Sequence, residues 1–177
     1  MKKLIIVFSL IAGSVVGQIP IGTIESYSVD TNLNRYFFNK LNEYRNSINQ
    51  ESWEWSNDSY DNSLNWNIYL SDNQVWGHSN GDNCVSEFIV GINLQPGDNI
   101  NYQTISDSCL MQLIHSPYHK GGIESPKKTK TRKTAKVLHH AVDFYFDRVL
   151  SSHGSVSVII QQLPNQWKRV TFVIQLI

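Results

Sequence analysis

Cysteine is scarce in this 177-residue chain: it occurs twice, as Cys84 and Cys109. That excludes a disulfide-dense scaffold. Charge is thin as well, at 17% of residues, and balanced, with 15 basic and 15 acidic side chains. Such a balance excludes a global attraction to nucleic acid or to an anionic membrane surface. Long hydrophobic runs are missing too. The most apolar stretch, Leu4 to Ile11, falls short of the roughly 20 residues a spanning helix needs, and no later segment exceeds it, so no membrane span is expected. Several catalytic signatures are absent: there is no G-x-S-x-G elbow and no H-E-x-x-H, and Gly121-Gly122 is not followed by Gly-Lys-Ser. These absences leave no basis for a serine-hydrolase elbow, a helix-borne zinc pair or a phosphate loop.

What is present begins with an export signal. Lys2 and Lys3 form a basic start, Leu4 to Ile11 an apolar stretch, and Ala12, Gly13, Ser14, Val15 and Gly17 a small-residue approach to a cut after Gly17. Residues 1–17 therefore read as a signal peptide and the mature protein as secreted, extracellular or periplasmic. No cysteine lies at the cut, which argues against a lipid-anchored form. Removing Lys2 and Lys3 leaves 13 basic residues against 15 acidic, a formal charge of −2. In an oxidising compartment, Cys84 and Cys109 are expected to form one disulfide. It would close a loop of about 25 residues and contribute roughly 3 kcal/mol in the chain-entropy description.

Residues 18–30 read as an irregular lead-in, and residues 31–177 as a single domain. Asp30 or Thr31 can cap a helix, and Leu33, Phe37, Leu41, Tyr44 and Ile48 recur at helical spacing behind it. Trp53-Glu54-Trp55 reads as an extended link. Ser56 or Asn57 can cap a second helix that carries Tyr60, Leu64 and Ile68 on one face, widened by Trp66, Tyr69 and Leu70. Residues 71–104 are rich in Asn, Asp, Gly and Ser, and read as loop around one apolar segment, Phe88 to Ile92. A third helix is predicted from about Ser106 to His115, with Cys109, Leu110, Leu113 and Ile114 inward and Pro117 as its stop. The period then changes to two, at Val142, Phe144 and Phe146, at Val156, Val158 and Ile160, and at Val170, Phe172 and Ile174. His153-Gly154 and Pro164-Asn165 are the expected turns. The pattern predicts an α+β domain whose antiparallel sheet of three or more strands is covered by helices. Between the third helix and the strands lies a basic loop, residues 120–136, with Lys127, Lys128, Lys130, Arg132, Lys133 and Lys136. It reads as a solvated loop or as a patch for an anionic polymer; it lacks interleaved aromatics for stacking on bases, and no specific nucleic acid is expected.

Three ionisable residues stand out in the middle of the chain: His78 in Gly77-His78-Ser79, Glu87 before Phe88-Ile89, and His119 at the end of Ser116-Pro117-Tyr118-His119. Two neutral imidazoles and a carboxylate suit Zn²⁺ or a similar divalent ion and leave a coordination position open. Together with Leu41-Asn42-Glu43-Tyr44-Arg45 and Trp53-Glu54-Trp55, these segments follow the order of an L-N-x-x-R helix, an L-x-W link, a cavity histidine, a cavity glutamate and an S-P-x-H signature. In that order they resemble the CAP superfamily (cysteine-rich secretory proteins, antigen 5 and pathogenesis-related proteins) in its bacterial branch, over roughly residues 33–123. The resemblance implies an α-β-α sandwich and a surface cleft lined by His78, Glu87 and His119, which binds divalent metal in some members. Ser86 and Phe88 depart from the residues that flank the family's glutamate, and Leu113 and Ser116 stand where the animal and plant branches carry a Trp and a second acid. Asp107 and His115 are nearby candidates without motif support. Trp53, Trp55, Trp66 and Trp76 read as core and cleft wall rather than as a sugar platform. Three functions stay open: binding of a lipid, glycan or partner protein, with or without metal; metal-dependent hydrolysis by a metal-bound water; and a structural module with no metal.

Overall fold

A computed structural model describes residues 19, 20, 22–79, 84, 86–125 and 152–177. The expected signal peptide, most of the basic loop and the strand expected at Val142–Phe146 lie outside these residues. The elements in order are β1 (Ile19–Pro20), β2 (Ser26–Val29), α1 (Thr31–Ser47), β3 (Glu54–Trp55), α2 (Asn57–Asp72), β4 (Val75–Trp76), β5 (Ser86–Leu94), α3 (Tyr102–His115), α4 (Pro117–Ile123), β6 (His153–Gln162) and β7 (Lys168–Leu176). The α+β class is as expected.

The helices start where capping chemistry places them. Asp30 accepts from the Leu33 amide, Ser56 from the Ser59 amide and Asn101 from the Thr104 amide. The third helix begins earlier than predicted, because Asn101 rather than a later residue supplies the cap. Pro117 ends α3 and also opens α4, where its missing amide proton costs nothing.

The main sheet runs β2-β6-β7-β5. Its pairs are antiparallel, except that β3 adds a short parallel pairing at the start of β6, Glu54 with His153 and Trp55 with Gly154. Three expectations are corrected here. The lead-in holds two strands: β1 pairs with β4, and β2 pairs with β6. His153-Gly154 is not a turn but the first step of β6. The segment 86–94 is a full strand, paired along its length with β7 rather than isolated in loop.

Alternation gives the sheet two unlike faces. Val156, Val158, Val170, Phe172, Ile174, Phe88, Val90 and Ile92 pack against Leu33, Phe37 and Leu41 of α1, Ile105, Cys109 and Leu113 of α3, and Ile123 of α4. The opposite face meets α2 and is largely polar. There the buried helix residues are Ser59, Ser63, Asn67, Leu70 and Ser71, while Tyr60, Leu64 and Ile68 are only half-buried. The face predicted for α2 is therefore rotated from the one it buries. Small hydroxyl residues every fourth position let the helix lie close to the sheet, and hydrogen bonds replace apolar contact. The result is a three-layer α-β-α sandwich. Among the described residues, no helix is long and apolar enough to cross a membrane.

Candidate functional site

Glu87 is the second residue of β5, opposite Gln175 of β7. Its side chain is 6% exposed and faces the α2 side of the sheet. The segment Gly77–Ser79 crosses above it, held by Trp66, whose indole N–H donates to the Gly77 carbonyl at 3.0 Å. Both carboxylate oxygens are then occupied. Oε1 accepts from the Ser79 amide at 2.8 Å and faces His78 Nδ1 at 3.2 Å. Oε2 accepts from Ser79 Oγ at 2.7 Å and from Gln175 Nε2 at 2.7 Å. A carboxylate has about four lone-pair positions, so none is left over. Burial alone would push the Glu87 carboxyl up, but the bonds from His78, Gln175 and Ser79 outweigh it and hold it below the ordinary value of 4.5. Since Glu87 is ionised, Nδ1 of His78 is the donor. When the ring is neutral its lone pair is then on Nε2, and the ring is 58% exposed.

The neighbouring residue, Phe88, points to the other face and receives the second histidine. The rings of Phe88 and His119 meet edge to face with centroids 5.6 Å apart. Burial lowers the His119 pKa from 6.5, and the proximity of His78 lowers it further, so His119 is held neutral. Edge strand β5 thus adjoins all three predicted residues but divides them, with Glu87 and His78 on one side and His119 on the other.

Helix α4 carries His119, and α1 holds α4 in place. Arg45 is fully buried; its Nη1 donates to the Ile123 carbonyl and, at 3.0 Å, to the Ser125 carbonyl, while its Nε donates to the Glu51 carbonyl at 2.8 Å. Its guanidinium lies 4.2 Å from the centre of the Trp53 ring. Tyr44 donates to Glu124 at 2.5 Å, which raises the phenol to about 12. Asn42 bonds both backbone groups of Trp53, at 2.8 and 3.0 Å. The L-N-x-x-R stretch is therefore a clamp that joins α1, the link to β3 and the end of α4. The tryptophans are structural: Trp53 is 4% exposed, Trp55 lies beneath Arg35, Trp66 stacks on Tyr69, and Trp76 covers Gly91.

The expected disulfide is not formed; Cys84 and Cys109 are free thiols. Cys109 is fully buried in the apolar core beneath α3. Cys84 instead keeps company with Ser79 and Glu87, and Glu87 faces the other side of the sheet. Burial, with the Glu87 charge beside it, pushes the Cys84 thiol up to about 11 against a smaller opposing pull from Ser79. It is a neutral thiol, not an activated nucleophile. Sequence reasoning missed Ser79 and Gln175 as partners of Glu87 and gave Cys84 only a disulfide role; only the pairing of β5 with β7 brings Gln175 to Glu87. Asp107 is engaged by Lys40 at 2.8 Å and lies outside the cluster. His115, in the last turn of α3, is exposed.

Among the described residues, no three His, Cys, Asp or Glu side chains converge closely enough to hold a metal ion. At this site His119 lies with Phe88 across β5 from Glu87 and His78. No family model, curated protein or solved structure matches the chain.

Proposed function

We propose that the chain is an exported CAP-like binding domain whose His78–Glu87–His119 cleft engages an extracellular lipid, glycan or protein, with a divalent ion such as Zn²⁺ held by the two imidazoles. The observation that carries this reading is the fourfold hydrogen bonding of Glu87, which makes Nδ1 of His78 a donor and, on the neutral ring, puts the lone pair on Nε2. An ion there would need His78 and His119 to meet at the edge of β5, with Glu87 behind His78 as the carboxylate that orients it. Bound there, the ion would supply a Lewis-acidic contact for an oxygen of the ligand. The chain's own residues do the rest: Glu87 holds the proton on His78 Nδ1, Ser79 and Gln175 hold Glu87, and Phe88 shields His119 so that it stays neutral.

Binding is favoured over hydrolysis by the state of Glu87. A general base needs a free lone pair and a pKa near the working pH. Glu87 has neither. The test is calorimetric titration of zinc into protein purified without an affinity tag, alongside His78→Ala and His119→Ala. Micromolar zinc binding that both substitutions abolish is expected. Wild-type protein that takes up no zinc at that concentration removes the metal from the proposal. Glycan-array or vesicle binding that persists in both variants removes the cleft from it.

A further inference from the structure

The interface between α2 and the sheet has more acceptors than donors. The buried row Ser59, Ser63, Asn67 and Ser71 of α2 meets Ser155, Ser157 and Gln161 of β6 and Thr171 and Gln175 of β7. Strand register orders these groups: Ser155 opposite Gln175, Ser157 opposite Val173, Ile159 opposite Thr171 and Gln161 opposite Arg169. The hydroxyls of α2 and Ser157 are occupied. Ser59 donates to the Gln175 carbonyl, Ser63 to Tyr60, Ser71 to Asn67 and Ser157 to Ser63. The amide nitrogens are occupied too: Asn67 donates to the Ser157 and Thr171 carbonyls, Gln161 to Ser71 Oγ, and Gln175 to Glu87.

Four oxygens are left, beside one donor, the Nη1 of Arg169 opposite Gln161. Asn67 Oδ1, Gln161 Oε1, Gln175 Oε1 and Thr171 Oγ1 are shut off from solvent and without a protein partner, on residues at most 3% exposed. Turning an amide over does not help. It would set an oxygen against the Ser157 and Thr171 carbonyls, against a Ser71 hydroxyl whose proton is already used, or against the Glu87 carboxylate. Three orphan carbonyls and a hydroxyl need a guest that donates.

We propose that this seam is a binding site for one internal water molecule. It lies at the junction of Asn67, Thr171 and Gln161, where two carbonyls and a hydroxyl on adjoining rows give a water its usual three partners. Gln175, about 13 Å further along β7 at the usual strand rise, offers a single orphan carbonyl, too few partners to hold a second. A monovalent cation would also suit oxygen donors, but the buried guanidinium of Arg169, opposite Gln161, disfavours one there. This inference does not depend on what the cleft binds.

Oxygen-17 magnetic relaxation dispersion on the mature chain counts long-lived waters directly. Relative to wild type, Thr171→Val is expected to lose one, while Thr171→Ser, which keeps the hydroxyl, and Gln175→Met, which lies away from the junction, lose none. A Thr171→Val chain that keeps the full wild-type count overturns the proposal. Loss in Thr171→Ser as well as Thr171→Val shows disturbed packing rather than a hydroxyl-bound water, and overturns it too. A slow sodium-23 signal that Thr171→Val abolishes overturns the choice of water over cation.

Discussion

Phe88 leaves no room for a side chain at Gly122: a Cβ there would fall well inside van der Waals contact with the Phe88 ring. The same ring meets His119, three residues earlier on α4. Gly122 and His119 thus both abut the Phe88 ring, and the bare backbone at Gly122 sets how near α4 comes to β5. Gly122→Ala is expected to push α4 outward and to cost about 1–3 kcal/mol, the range for overpacking. Moving away also exposes the His119 ring, so its titration midpoint should rise towards 6.5. Thermal denaturation and the His119 Cε1 proton resonance check the two effects together. A lower melting temperature with an unmoved midpoint would separate packing from the site.

Arg45 reaches the same helix from the opposite end. Its guanidinium serves the carbonyls of Glu51, Ile123 and Ser125. Arg45→Met keeps most of the volume but leaves these carbonyls without their donor, at about 1–3 kcal/mol for each that water does not reach. A total loss of at least about 3 kcal/mol is expected, read by urea denaturation. Zinc affinity should fall with it, because α4 carries His119. Arg45→Lys is expected to recover only part of the loss, since an ammonium has no planar fork to span three carbonyls.

The contrast between α1 and α2 shows what the sequence made legible. Leu33, Phe37 and Leu41 repeat at helical spacing, and that stripe is the buried one, because α1 packs on the apolar face of the sheet. On α2 the apolar residues Tyr60, Leu64 and Ile68 repeat just as regularly, yet Ser59, Ser63 and Asn67 go inward. Hydrophobic spacing cannot reveal a polar interface, and this one became visible only once β6 and β7 presented Ser155, Ser157 and Thr171 to it. The cleft divides similarly. His78, Glu87 and His119 were found from short ordered motifs, but Gln175 and Ser79 belong to no motif; they are partners by strand register and loop path. The cysteine pairing failed for a topological reason. Two cysteines in a chain expected to be exported satisfy a counting rule, but the sheet separates Cys109 from the group around Cys84.

That separation makes a prediction about oxidation state. Protein denatured without reductant and treated with iodoacetamide should gain two adducts by mass. In the folded state at pH 8, labelling should be slow. Burial pushes Cys84 up to about 11, so few of its thiols are ionised, and Cys109 is inaccessible. A denatured chain that takes no adduct until it is reduced would establish the disulfide and contradict the arrangement described above.

The pH dependence of stability follows from two groups whose folded pKa values lie below their ordinary ones. For His119, burial and the neighbouring His78 disfavour the charged form, so the unfolded chain takes up a proton first as the pH falls. Stability from this group is complete above the unfolded value near 6.5, and declines as the pH drops towards the lower folded value. For Glu87, the bonds from His78, Gln175 and Ser79 favour the ionised form despite its burial, so its contribution is retained until the pH passes below 4.5 and is lost as the folded carboxylate finally protonates. Two successive declines are expected on acidification, the first from His119 and the second from Glu87. Urea denaturation at pH 7.5, 6.5, 5.5 and 4 resolves them. His119→Gln should remove the first decline and keep the second, and Glu87→Gln should do the reverse from a lower starting stability, because an amide in that place turns its NH₂ towards the donors of Ser79 and Gln175. If His119→Gln retains the full loss between pH 7.5 and 5.5, the neutral, shielded state of His119 against Phe88 is wrong, and with it the reason that ring is ready to bind an ion without first releasing a proton.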